Sequence, residues 1–234
     1  MEEDVTGADR HRDRIVEAAA RLLTEGGPDA VSTRAVSAAA GVQPPTIYRL
    51  FGDKQGLLDA VAAHGFSAYL ATKTAIAPTD DPVEDLRAGW DLHVGLGLAD
   101  PALYSLMYGQ PRASSPAAVA AFEILGKLIR RVAEAGRLRV PEDRAAALVH
   151  AAGSGTTLTL IATPEDRRDP ELSHTAREAI LAAITTDAPA TEDAGPVAAA
   201  VTLRAMLPKT DALTEPERGL MREWLDRIAD PRRD

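Results

Sequence analysis

Cysteine is absent from the 234 residues, which excludes disulfide stapling and any cysteine-ligated metal. Aromatic residues make up only 4% of the chain against 45% hydrophobic residues in all. A core therefore has to be assembled from Ala, Leu, Val and Ile, a composition that suits helix packed on helix. The five histidines are scattered without HxxxH or HxH spacing, so no metal site is expected. There is no GxSxG elbow, no P-loop and no dinucleotide-binding glycine pattern, so neither catalysis nor a bound cofactor is expected. No run approaches the roughly 18 apolar residues that a membrane helix needs. The opening MEEDVTGADR lacks the basic and apolar stretches of a secretory signal. The expectation is a soluble, cytoplasmic, all-α chain with no membrane partner, long enough for a small domain plus a larger one.

Net positive charge is missing as well: the chain carries −9 at neutral pH, which at first argues against a nucleic-acid partner. The distribution changes that reading. Residues 10 to 54 hold seven Lys or Arg against five Asp or Glu, whereas residues 1 to 9 hold four acids and no base. A locally basic patch binds phosphate while an acidic remainder keeps the protein soluble.

Apolar residues recur at helical spacing through RHRDRIVEAAARLLTEG (10 to 26), with Ile15, Ala18, Ala19, Leu22 and Leu23 on one face. Gly26 and Gly27 stop that helix. Ser32 is placed to cap a short alanine-rich second helix. Gly41 supplies a turn position that tolerates positive φ. Pro44 and Pro45 fit only the first turn of a third helix, where backbone N–H groups lack partners anyway. That helix ends at Gly52, Asp53 caps a fourth running to about residue 76, and APTDDP (77 to 82) is a linker. Further helices are expected at 83–99, 101–109, 116–136, 142–162, 171–186, 196–207 and 215–229. Proline marks nearly every gap, and DAPATEDAGP (187 to 196) forms a loop.

Helix, glycine turn and short helix from Ser32 to Phe51 form a helix-turn-helix pattern. The major groove admits one α-helix, whose first residues reach base edges while the preceding helix braces it on the backbone. The stretch RIVEAAARLLTEGGPDAVSTRAVSAAAGVQPPTIYRLFGDKQGLLDAV, and above all its Tyr48, Phe51 and Lys54, resembles the DNA-binding domain of the TetR family of bacterial regulators over residues 10–66. The resemblance implies a disordered tail (1–9), a DNA-binding domain (10–56) and a helical regulatory and dimerisation domain (57–234). It implies a homodimer on a double-stranded, palindromic operator, acting as a repressor that a small hydrophobic effector releases.

Carried over by position, Thr33 and Arg34 open the phosphate-facing second helix. Pro44, Pro45 and Thr46 open the recognition helix, Tyr48 reaches a phosphate, Arg49 and Leu50 take base-facing positions, and Lys54 meets the backbone. Leu50 either meets a thymine methyl or simply packs, and Phe51 is expected in the core. For the effector, the resemblance points to a cavity in the larger domain. The large side chains there are Trp90, His93, Leu96, Tyr104, Met107, Tyr108 and Phe122, with His150 beside them; each of these has a core reading as well as a pocket reading. Ser154, Thr156, Thr157 and Thr159 either face a ligand or bond back to their own helix. The helix 142–162 is apolar nearly all round and is expected to be buried on both sides. With 171–186 it forms the expected dimer contact, a four-helix bundle. Asp80-Asp81, Glu134, Glu142 and Glu165-Asp166 are read as solvated acids. Two other readings remain: a DNA-binding regulator that is ligand-independent or controlled by a protein partner, and, in another class, a small helical enzyme.

Overall fold

A computed structural model describes residues 2–74, 78–109, 116–186 and 195–230; side chains at 2–9, 68–69, 71–74 and 117–118 are left aside. Among the described residues there are eleven α-helices and no strand. Helix α1 (Glu2–Ala30) starts earlier than residue 10 and breaks its helical geometry at Gly27, ahead of Pro28. Then come α2 (Thr33–Ala40), α3 (Pro44–Phe51), α4 (Lys54–Thr74), α5 (Pro82–Ala99) and α6 (Pro101–Tyr108). These are followed by α7 (Pro116–Glu134), α8 (Glu142–Ala162), α9 (Leu172–Ile184), α10 (Gly195–Met206) and α11 (Glu215–Ala229). The expected ends of α4 at 75–76 and most of the expected loop at 187–196 lie outside the described residues.

The chain divides into two compact units. One comprises residues 1–77 and 95–120, the other 78–94 and 121–234. The core of the first unit holds Ile15, Ala18, Ala19 and Leu23 of α1, Val36 and Ala40 of α2, Ile47 and Phe51 of α3, and Leu57, Leu58 and Val61 of α4. Ala102 and Leu106 of α6 pack against it. The apolar stripe read in α1 is thus the stripe that is buried.

The core of the second unit is built on Val83, Leu86, Trp90 and Val94 of α5, with Ile129, Val132, Val149, Leu160, Leu181, Ile184, Val201, Leu207 and Leu225. Polar ties close it. Asp81 accepts from the Val83 N–H at 2.8 Å and from Arg137 Nη1 at 2.7 Å. Asp85 accepts from Thr79 and pairs with Arg131, whose other nitrogen donates to the Thr79 carbonyl at 2.8 Å. The Arg137 hydrogen bond holds the Asp81 carboxyl below its ordinary pKa. Burial alone would raise that of Asp85, but its bonds to Thr79 and Arg131 lower it overall.

Two expectations change here. Asp81 is not a solvated loop acid, because it caps α5. Glu134 and Glu142 are not free either: Glu134 pairs with Lys209 at 2.6 Å and Arg130 at 3.3 Å, and Glu142 with Arg204 at 3.5 Å. Arg130 lies one turn earlier on α7, but Lys209 and Arg204 come from sequence-distant α10 and the turn after it, so local reading does not see them.

Helix α8 departs from expectation in another way. Its core face is Ala145, Ala146, Val149, Gly153, Thr157 and Leu160, but Ala147, Leu148, Ala151, Gly155 and Ala162 are exposed. The helix is long and apolar enough to cross a membrane by length and composition, with a mean hydropathy of 1.3, and 33% of that window is buried. Serine, threonine and glycine interrupt the apolar run without adding charge, which is why a search for uninterrupted apolar residues passes over it.

Candidate nucleic-acid interface

The helix-turn-helix geometry follows from three local choices. Ser32 has extended backbone, and its hydroxyl accepts from the Ala35 N–H at 3.1 Å, satisfying one orphan donor at the start of α2. Gly41 adopts φ 63° and ψ 39°, the left-handed region in which a Cβ is costly. Its N–H bonds to Ala38 O at 3.3 Å, and the Val42 N–H returns to Ser37 O at 3.0 Å, closing the end of α2. Pro44 and Pro45 occupy the first turn of α3, whose preceding residue Gln43 offers no side-chain cap.

Helix α3 then presents two faces. Ile47 is fully buried and Phe51 lies in the core. Pro44, Pro45, Tyr48 and Arg49 are exposed, and Thr46 and Leu50 are half-buried. Tyr48 is 52% exposed, so much of its ring is free to meet a partner. Arg34 is exposed at the start of α2, and Thr33 is half-buried. Leu50 packs on the edge of the first unit's core. Lys54, exposed at the start of α4, brings Nζ to 3.5 Å from the Pro28 carbonyl, and Asp53 accepts from the Gly56 N–H at 2.8 Å. Six of the nine positions singled out for DNA (Arg34, Pro44, Pro45, Tyr48, Arg49 and Lys54) therefore lie in or beside the helix-turn-helix exposed to solvent, and Thr46 is half-buried there. Thr33 and Leu50 face solvent in part.

The sequence reading gave no role to Arg12. Its Nη1 donates to the Leu50 carbonyl at 3.2 Å, and its guanidinium lies 4.7 Å above the centre of the Phe51 ring. The available signal was its place one turn before Ile15, a cation on the apolar face of α1.

The eight effector candidates fall in both units. Leu96, Tyr104, Met107 and Tyr108 belong to the first; Trp90, His93, Phe122 and His150 belong to the second. Tyr104 is fully buried, with its ring 4.6 Å from that of Tyr108. Met107 is buried, and Leu96 is half-buried. In the second unit Trp90 is buried and donates through Nε1 to Ser173 Oγ at 3.1 Å. A Cβ on Gly153 would lie 3.5 Å from Trp90 and 3.6 Å from His93, so α8 comes close to both rings. The Phe122 and His150 rings meet edge to face at 5.5 Å, and burial lowers the pKa of His150. Thr157 and Thr159 bond back to Gly153 O and Gly155 O, each at 2.8 Å. Ser154 Oγ is buried without a protein partner. A cavity of about 410 Å³ opens elsewhere in the second unit between Arg139, Val140, Pro141, Arg144, Val197, Ala229 and Asp230, and none of the eight candidates lines it. Among the described residues no cluster of three or more His, Asp or Glu is arranged to hold a metal ion.

Residues 15–61 match the family profile described as bacterial regulatory proteins, tetR family. No curated protein matches the chain in sequence. Solved structures do match in fold. A TetR-family transcription regulator from Shewanella sp. PV-4 is 19% identical with a TM-score of 0.59, over 75% of this chain and 98% of its own. A fatty acid degradation regulator from Bacillus halodurans is 18% identical with a TM-score of 0.57, over 73% and 94%. A TetR variant from Acinetobacter baumannii AYE in complex with minocycline is 20% identical with a TM-score of 0.55, over 72% and 90%. At such identities the likeness speaks for the fold. Residues 15–61 therefore carry the profile of the bacterial regulatory proteins of the tetR family, and the chain shares the fold of solved TetR-family transcription regulators.

Proposed function

We propose that the chain is a sequence-specific transcriptional regulator that binds a palindromic double-stranded operator as a homodimer and is released by a small hydrophobic effector. The observation that carries the DNA reading is α3, a short helix with Ile47 and Phe51 buried and Tyr48 and Arg49 in solvent. Such a helix is anchored on one side and free to enter a groove on the other. In this reading residues 10–56 form the DNA-binding domain and residues 57–234 the regulatory and dimerisation domain.

The roles follow from donor chemistry. Pro44 and Pro45 carry no N–H, so the start of the recognition helix reads bases by shape and apolar contact. Arg49 is the hydrogen-bonding reader, suited to guanine O6 and N7. Tyr48, Thr33, Arg34, Thr46 and Lys54 hold phosphates and set register without reading sequence. Leu50, half-drawn into the core, contributes apolar contact at most to one base.

Dimerisation uses the exposed face of α8 (Ala147, Leu148, Ala151, Gly155) with Ala179, Ala182 and Ala183 of α9; the alanines and the glycine let two hairpins approach closely, and Leu148 supplies apolar area. Trp90, His93, Phe122 and His150 in one unit, and Leu96, Tyr104, Met107 and Tyr108 in the other, are the candidate effector contacts. The solved neighbours include a regulator of fatty acid degradation and a minocycline complex, which suggests a fatty acid and minocycline as first probes. An effector releases DNA only through differential affinity for the two states of the protein.

The test is selection of bound sequences from a random DNA pool by the full-length chain, then footprinting of the winner. An inverted repeat protected on both halves, and released on adding one of the probes, is the expected result. Enrichment of no sequence contradicts sequence-specific reading. Tighter DNA binding with every effector tested contradicts release.

A further inference from the structure

Helix α3 is too short to stand alone. Isolated helices need about 12–15 residues to be even marginally stable in water, and α3 has eight. Its last four carbonyls have no partner within the helix. The Gly52 N–H takes that of Tyr48 at 2.9 Å, and the Leu50 carbonyl is taken by Arg12 Nη1 at 3.2 Å. The same guanidinium lies 4.7 Å over the Phe51 ring, and its charge sits at the negative end of the α3 dipole. One planar cation thus caps a carbonyl and stacks on the adjoining ring at once, a pairing that suits Arg and not Lys.

We propose that Arg12 is a positioning residue for the recognition helix: it clamps the C-terminal end of α3 to α1 and so fixes the angle at which Tyr48 and Arg49 are presented. The proposal rests on the DNA-binding reading for its consequence, but the clamp itself is a property of the free protein. Ile47 anchors the middle of α3 from beneath. Without Arg12 nothing polar holds Leu50 O among the described contacts, and the last turn of α3 frays.

Two arms test it on the full-length chain. In the free protein, amide exchange at the end of α3 and at Gly52 should rise roughly 5- to 30-fold in R12A, with α1 and α2 amides unchanged and partial recovery in R12K. Unchanged exchange in R12A overturns the clamp, whatever the DNA result. On a duplex chosen by the wild type from a random pool, R12A should weaken binding by a similar factor with the slope of log affinity against log salt unchanged. R12K should lie between R12A and wild type. A slope smaller by about 0.9 means that Arg12 itself neutralises a phosphate and overturns the positioning role. If the wild type selects no duplex, the DNA reading fails while the exchange arm still decides the clamp.

Discussion

Gly41 offers a clean perturbation, because its effect separates conformation from packing. A Cβ built there meets nothing within 4 Å, so Gly41→Ala introduces no clash and leaves no cavity. The cost that remains is that of holding an L-residue at φ 63°, ψ 39°, about 1–2 kcal/mol. Asparagine visits the same region more readily than other side chains, so Gly41→Asn should cost clearly less. Both tryptophans, Trp90 and Trp224, lie in the second unit, so their fluorescence in a urea titration reports that unit. Amide exchange at Val42 and the α2 amides reports the turn. The expected result is faster exchange in the order wild type, Gly41→Asn, Gly41→Ala, the last by roughly 5- to 30-fold. Equal exchange in Ala and wild type, or Asn as costly as Ala, would refute the argument that left-handed geometry selects glycine here.

Three further outcomes are expected. Asp85→Asn removes the pairing with Arg131 and should cost about 1–3 kcal/mol at neutral pH. Because the folded pKa of Asp85 is depressed from 3.8, its contribution is present above that value and fades as the pH falls through the lower, folded one. The gap between wild type and Asp85→Asn in urea midpoints should therefore close in acid, and a gap independent of pH would contradict the assignment. Gly153→Ala should be neutral or stabilising by up to about 1 kcal/mol, since the new methyl meets Trp90 and His93 at ordinary contact distance. Gly153→Leu should destabilise and shift Trp90 emission, and a harmless leucine would mean that α8 and α5 do not pack closely. Ala151→Glu puts a charge on the exposed small-residue face of α8 and should convert a dimer to monomers in sedimentation without lowering helix content. An unchanged dimer would move the interface elsewhere.

The parts of this protein that local chemistry dictates were open to reading from sequence. The stripe Ile15, Ala18, Ala19 and Leu23 is the buried face of α1, Ser32 caps α2, and Gly41 turns left-handed. Seven of the helices beyond residue 82 start or stop within about two residues of their prolines and glycines, because those residues act locally. What depends on distant partners was not legible. Glu134, Glu142 and Asp81 read as solvated acids because Lys209, Arg204 and Arg137 are far away in sequence. Arg12 drew no role because its partners are 38 and 39 residues later. The one-third burial of α8 was also missed: periodicity shows that a helix is apolar all round, but how many neighbours it finds within one chain is a tertiary matter.

The most direct measurement is binding of the full-length chain to the duplex immediately upstream of its own gene, against a scrambled duplex, across a salt series, with Tyr48→Ala and Arg49→Ala beside the wild type. The account predicts tight, salt-dependent preference for the upstream duplex. Tyr48→Ala should lose affinity for both duplexes, and Arg49→Ala should lose the preference between them. Loss of preference in neither variant, with wild-type affinity retained, would contradict the claim that the exposed face of α3 reads DNA.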